Sequence, residues 1–120
     1  MPAEPIEISR ITEYHAHIYY TPETRQTAAL LRGWIESRWP EARMGRWHDV
    51  PVGPHPTAMY QVAFEAALFK DIAPFVMMNR MGLTVLLHPE SGRPLDDHTL
   101  HATWMGAVLP LKTAILKETD

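Results

Sequence analysis

Apolar and polar residues alternate from 13 to 20, with Tyr14, Ala16, Ile18 and Tyr20 on one side and His15, His17 and Tyr19 on the other. A period of two is that of a half-buried strand. The period then becomes helical. Ala28, Leu31 and Ile35 form an inward stripe, and Leu30 and Trp34 widen it. Thr21-Pro22-Glu23 supplies an N-cap, a proline for the first helical position and an acidic residue beside the positive end of the dipole. The helix should run to about Ser37 and stop at Pro40. A short strand is expected near 43–48, a rigid Pro/Gly loop over 51–56, and a third strand over 57–64. In that strand Tyr60, Val62 and Phe64 lie opposite Met59, Gln61 and Ala63. A second helix fits 69–81, with Ile72, Phe75, Val76 and Asn79 inward. Asp71 as its N-cap puts Pro74 in the first turn, and Gly82 closes it. Residues 83–88 form a fourth strand, rich in Leu and Val.

The order β-α-β-β-α-β predicts an α+β fold, a ferredoxin-like sandwich in which two helices cover one face of an antiparallel sheet. A C-terminal extension over 89–120 holds a turn, a histidine-bearing segment and VLPLKTAIL, which reads as a strand or a short helix. The 120 residues suffice for a single domain, 1–120, with 1–10 as a loose lead-in. The sheet face away from the helices needs cover from a partner subunit or from the tail, and a homodimer is expected.

A formal charge of −3 argues against nucleic-acid binding. No apolar run is long enough for a bilayer and none resembles a signal peptide, so no membrane partner and a cytoplasmic location are expected. With no cysteine, any metal must sit on His, Asp, Glu or water.

Seven histidines are the chemical signal. Imidazole is the commonest metal ligand and the usual acid–base group near neutral pH. His15 and His17 project from one strand face, roughly 7 Å apart at the backbone. In a split βαβ sheet the first and fourth strands are neighbours. If Val85 and Leu87 face the helices, His88 joins His15 and His17 on the open face. His55, in the stiff GPHP loop, can join from the side. Asp97-His98 and His101 are candidates for acid–base chemistry, on one face at i, i+3 if 98–101 is helical. Glu65, Asp96 and Asp97 are the carboxylates nearest these motifs, as ligands, as partners fixing an imidazole tautomer, or as solvated turn residues. Tyr19 and Trp104 are candidates for the walls of an aromatic-substrate pocket. His48 has no such context.

YHAHIYY (14–20), VGPHPTAMYQVAF (52–64) and FVMMNRMGLTVLLHPESGRPLDDHTLHATWMG (75–106) resemble the DOPA 4,5-dioxygenase family of small aromatic ring-cleaving enzymes. The resemblance covers about 12–112. It implies a ferredoxin-like fold and extradiol cleavage of a catechol, such as DOPA, with O₂. The family's histidines fall on His15, His17, His55, His88, His98 and His101, and its Asn-Arg pair on Asn79 and Arg80. On this reading Fe(II) is the expected native metal, with Zn or Ni possible in a purified sample. His17, His55 and His88 are the expected ligands. His15 is a fourth ligand or a base, and His98 or His101 moves protons. Arg80 or Arg93 would bind a substrate carboxylate. The alternatives are a non-catalytic dimeric protein that binds a small aromatic or a metal, and a Zn-dependent hydrolase using the same residues.

Overall fold

The computed structural model describes residues 4–116. The first three residues of the lead-in and 117–120 of the extension lie outside them. The strands are β1 (Glu13–Tyr19), β2 (Arg43–Met44), β3 (Met59–Glu65), β4 (Val85–Glu90) and β5 (Thr103–Met105). The helices are α1 (Arg25–Arg38), α2 (Phe69–Asn79) and the short α3 (Pro94–His98). The sheet order is β2-β3-β1-β4-β5, and every pairing is antiparallel. Its first four strands have the split βαβ arrangement that the element order predicts. β5, supplied by the tail, extends it beyond β4.

Strand phase separates two interiors. Ala16, Ile18, Tyr60, Val62, Phe64, Val85 and Leu87 meet Ala28, Leu31, Ile35, Ile72 and Val76 of the helices in one core. The Tyr60 hydroxyl donates to the Ala28 carbonyl at 2.7 Å, tying β3 to α1 without leaving a buried polar atom unmet. On the opposite face Tyr19, Met59 and Leu86 are covered by Ala102, Trp104, Leu109 and Leu111 of the chain's own tail. The face expected to be open is thus closed within the chain, and it no longer gives a reason for a dimer.

Several local expectations are corrected. α1 begins at Arg25, because Thr21 and Thr24 bond to each other in a preceding turn and delay the helix. Leu30 and Trp34 lie on its exposed side rather than widening the buried stripe. β2 is only two residues long, and His48 makes a separate bridge to Met59. Leu68, not Asp71, precedes the first residue of α2, so Pro74 lies inside the helix. Its ring removes the N–H that the Lys70 carbonyl would otherwise accept. The end of α2 is turned by two left-handed residues, Met81 (φ 50°) and Gly82 (φ 82°), rather than by Gly82 alone. α3 ends at His98, so His98 and His101 are not on one helical face.

Candidate metal centre

β1 and β4 carry His15, His17 and His88 to the same sheet face because cross-strand partners share a face. The loop before β3 brings His55, and α3 lays His98 over the top. The ring centroids of His17 and His55 are 4.2 Å apart, those of His88 and His98 4.1 Å, and those of His17 and His88 5.1 Å. His17, His55 and His88 are almost completely buried. Two triads bring one nitrogen from each residue within 4.8 Å of the others: His15, His17 and His88, and His17, His55 and His98.

The outer nitrogens are held. His88 Nδ1 donates to the Pro89 carbonyl at 2.9 Å, and His98 Nδ1 donates to the Pro94 carbonyl at 2.7 Å. A carbonyl only accepts, so each of these bonds fixes a proton on Nδ1 and leaves Nε2 as the inward nitrogen. His55 Nδ1 shares a 2.7 Å hydrogen bond with the Tyr19 hydroxyl. Burial pushes that phenol's pKa up. His17 Nε2 lies 3.0 Å from His88 Nε2, and His17 Nδ1 is buried without a partner.

Burial also holds these imidazoles neutral. His17 lies well below its ordinary value, first through loss of solvent and then through the neighbouring rings. Desolvation, helped by His98 and His48, brings His55 down to about 4. Desolvation, helped by His98, brings His88 down to about 3. Neutral imidazole is the ligating form. The arrangement fits a divalent metal in three respects: convergent nitrogens, outer nitrogens fixed by carbonyl or hydroxyl partners, and one buried nitrogen with nothing to bond. The 3.0 Å separation of His17 and His88 also matches adjacent ligands on one ion with bonds of about 2.1 Å. An all-nitrogen donor set suits Zn, Cu, Fe or Ni.

His15 has a different environment. Its Nε2 lies 2.6 Å from Glu13 Oε2 and its Nδ1 3.0 Å from Glu90 Oε1. Both nitrogens are taken by carboxylates, and Arg43 pairs with the other oxygen of Glu13 at 2.7 Å. That arginine, more than His15, holds the Glu13 carboxyl below the usual range. Glu13 and Glu90 were not singled out in the sequence. The signal was there: each stands two residues from a histidine on its own strand face.

His101 is placed apart. It bonds the fully buried Asp97 at 3.3 Å and makes none of the ring contacts that join the other five. His48 also lies outside the cluster. Arg80 donates to the Leu83 carbonyl at 2.8 Å and borders Gly106, before the start of β4. Arg93 pairs with Asp96 at 3.2 Å. Trp104 stacks on Tyr19 with centroids 5.9 Å apart and, with His98, Leu109 and Leu111, lines a cavity of about 240 Å³. Glu65 is exposed at the end of β3.

The model of the Dopa 4,5-dioxygenase family matches residues 14–115. A DOPA 4,5-dioxygenase from Amanita muscaria is 30% identical over 116 residues, which cover 90% of this chain and 51% of that protein. An uncharacterised 21.2 kDa protein from Botryotinia fuckeliana is 36% identical, over 95% of this chain and 68% of its own length. The chain therefore spans about half to two thirds of these two relatives. The crystal structure of a candidate dioxygenase from Nostoc punctiforme superposes with a TM-score of 0.90 at 40% identity, covering 92% of this chain and 96% of that one. No helix among the described residues is long and apolar enough to cross a membrane.

Proposed function

The chain belongs to the Dopa 4,5-dioxygenase family, and from that premise we propose that it is an extradiol dioxygenase cleaving a catechol with O₂ at a histidine-held Fe(II). The observation that carries this reading is the buried convergence of His17, His55, His88 and His98. His17, His55 and His98 form the core of the ligand set, and His88 stands beside His17 as the fourth nitrogen. His98 thereby moves from proton transfer, its role on sequence grounds, to ligation. Fe(II) held by these imidazoles would supply the redox-active centre that extradiol cleavage needs.

The residues around the cluster have separate tasks. The cavity beside His98 receives the catechol ring against Trp104, Leu109 and Leu111. His98 is the one basic side chain among its lining residues. An anionic tail therefore finds no guanidinium there, which favours catechols with a neutral substituent. Arg80, engaged at Leu83, serves the turn before β4. Tyr19 orients His55 through the 2.7 Å bond and backs Trp104 with its ring. His15, at the rim between Glu13 and Glu90, is the group placed to pass a proton between the buried cluster and solvent.

Anaerobic reconstitution with Fe(II), followed by O₂ and a panel of catechols, tests the reading. The expected result is a yellow semialdehyde product with one O₂ consumed per ring. Stoichiometric metal binding with no product from any catechol would instead leave a metal-binding protein.

A further inference from the structure

The outer side of the helix layer is apolar and open to solvent. On α1 the outward positions are Gln26, Ala29, Leu30, Gly33, Trp34 and Ser37, all exposed and none charged. Spacings of three and four residues gather them on one face. On α2 Met77 and Met78 are 59% and 81% exposed, and Met81, just past its end, is 46% exposed. The rings of Trp39 and Phe75, 5.2 Å apart, hold the end of α1 beside the middle of α2, so both stretches belong to one layer. The proposed reaction uses none of these residues.

Three observations say what covers this surface. The first is Gly33. Glycine is a poor residue for the middle of a helix. A Cβ at position 33 would meet nothing within 4 Å, so packing inside the chain does not call for glycine there. With Ala29 one turn earlier it forms a low ridge between Leu30 and Trp34, where another helix can approach closely. The second is area. α1 has 14 residues and α2 has 11. The outward halves of two such helices present about 800 Å² of accessible surface, given a rise of 1.5 Å per residue and the usual helix width. A standard interface takes about 800 Å² from each partner. The third is charge. Glu23 stands just before α1 and Arg38 ends it, at similar spacings on either side of the Ala29–Gly33 ridge. Neither has an ion pair among the described residues, and the Arg38 guanidinium lies 4.8 Å from the Phe75 ring centroid.

We propose that the helix layer is a homodimer interface, in which α1 crosses α1 of a second copy in antiparallel fashion at the Ala29–Gly33 ridge. A two-fold axis through the ridge sets Glu23 of each chain towards Arg38 of the other, which makes the patch complementary to itself. Leu30, Trp34 and Met78 supply the apolar contact. A bilayer surface fits less well, because helices that lie on membranes carry rows of Lys and Arg, whereas Glu23, Glu36 and Asp71 flank this face beside Arg38 and Lys70.

Sedimentation equilibrium of the metal-free full chain tests the interface. The expected result is the mass of two chains, with a dissociation constant in the micromolar range or below. Leu30→Glu and Met78→Glu, both at exposed positions, should each raise that constant tenfold or more with unchanged far-ultraviolet circular dichroism. Gly33→Leu should weaken the dimer similarly, although leucine is the better helix former and adds apolar area. Glu23→Arg and Arg38→Glu should each weaken it, and the two together should restore it. The mass of one chain at about 100 μM overturns the proposal. So does a dimer that withstands Leu30→Glu and Met78→Glu, or one tightened by Gly33→Leu, because the contact is then elsewhere or unspecific. A double charge variant that stays weakened rules out the two-fold pairing. A monomer that co-sediments with phosphatidylcholine vesicles overturns it too, since the occupant is then a lipid surface.

Discussion

His17 Nε2 lies 3.0 Å from His88 Nε2, although the strand register sets His88 opposite His15. The contact is diagonal across β1 and β4, within reach of long side chains on one sheet face. It divides the three strand histidines. His17 and His88 turn inward to a dry cluster, whereas His15 turns outward to Glu13 and Glu90. A buried imidazole pair and a carboxylate-flanked histidine at the rim thus come from one pair of neighbouring strands.

The proposed ligand set has a direct consequence. His17→Ala, His55→Ala and His98→Ala should each lower bound divalent metal from about one equivalent to a small fraction of that. His48→Ala and His101→Ala should leave it unchanged. Elemental analysis of the reconstituted variants checks this, and full metal content in His17→Ala and His98→Ala together would remove the shared site.

Tyr19→Phe keeps the ring that stacks on Trp104 and deletes the hydroxyl bound to His55 Nδ1. Loss of such an orienting partner lowers metal affinity by about 10–100-fold. The unmet Nδ1 should also cost about 1–3 kcal/mol of stability in the metal-free protein. Competition with a chelator and urea unfolding measure the two effects separately.

The metal-free protein should lose stability in acid. His55 falls from 6.5 to about 4 on folding and His88 to about 3, both chiefly through burial. Below pH 6.5 the unfolded chain therefore binds protons that the folded chain does not, and the unfolding free energy decreases as pH falls. The slope is up to about 1.4 kcal/mol per pH unit for each group, flattening for His55 below its folded value. Above pH 6.5 these groups add no slope. Denaturation midpoints between about pH 7.5 and about pH 4.5 show the trend, and a flat profile would contradict the neutral, buried assignment.

Pro74 sits within α2 and is exposed. Pro74→Ala restores a backbone donor for the Lys70 carbonyl and removes a ring from the helix interior. It should stabilise the protein by about 1–3 kcal/mol with no change in metal content. A lower melting temperature for this variant would mean that the proline ring makes packing contacts that outweigh the lost hydrogen bond.

What the sequence determined by itself was phase. Alternation in β1 assigned Ala16 and Ile18 to the helix side and His15 and His17 to the other, because a strand's two-residue period is a local property of its backbone; in β4, where apolar residues run without alternation, only the packing decides that Val85 and Leu87 face the helices and His88 joins the histidines. The stripe of Ala28, Leu31 and Ile35 was legible for the same reason, as was the element order from β1 to β4. The start of α1 was not, because the Thr21–Thr24 turn competes with the helix for the same residues. Tertiary structure alone decided what the tail does. Five residues of α3 and three of β5 carry too little periodicity to announce themselves. Their places follow from the anchoring of Asp97 at Ser91 and the pairing of Leu87 with Thr103, contacts made only once β4 exists. Those contacts bring His98 over the imidazole cluster and leave His101, three residues later, on Asp97 and outside the ring contacts of the cluster. Spacing in the chain could not separate the two, because a turn between them lets each pack where its neighbours leave room.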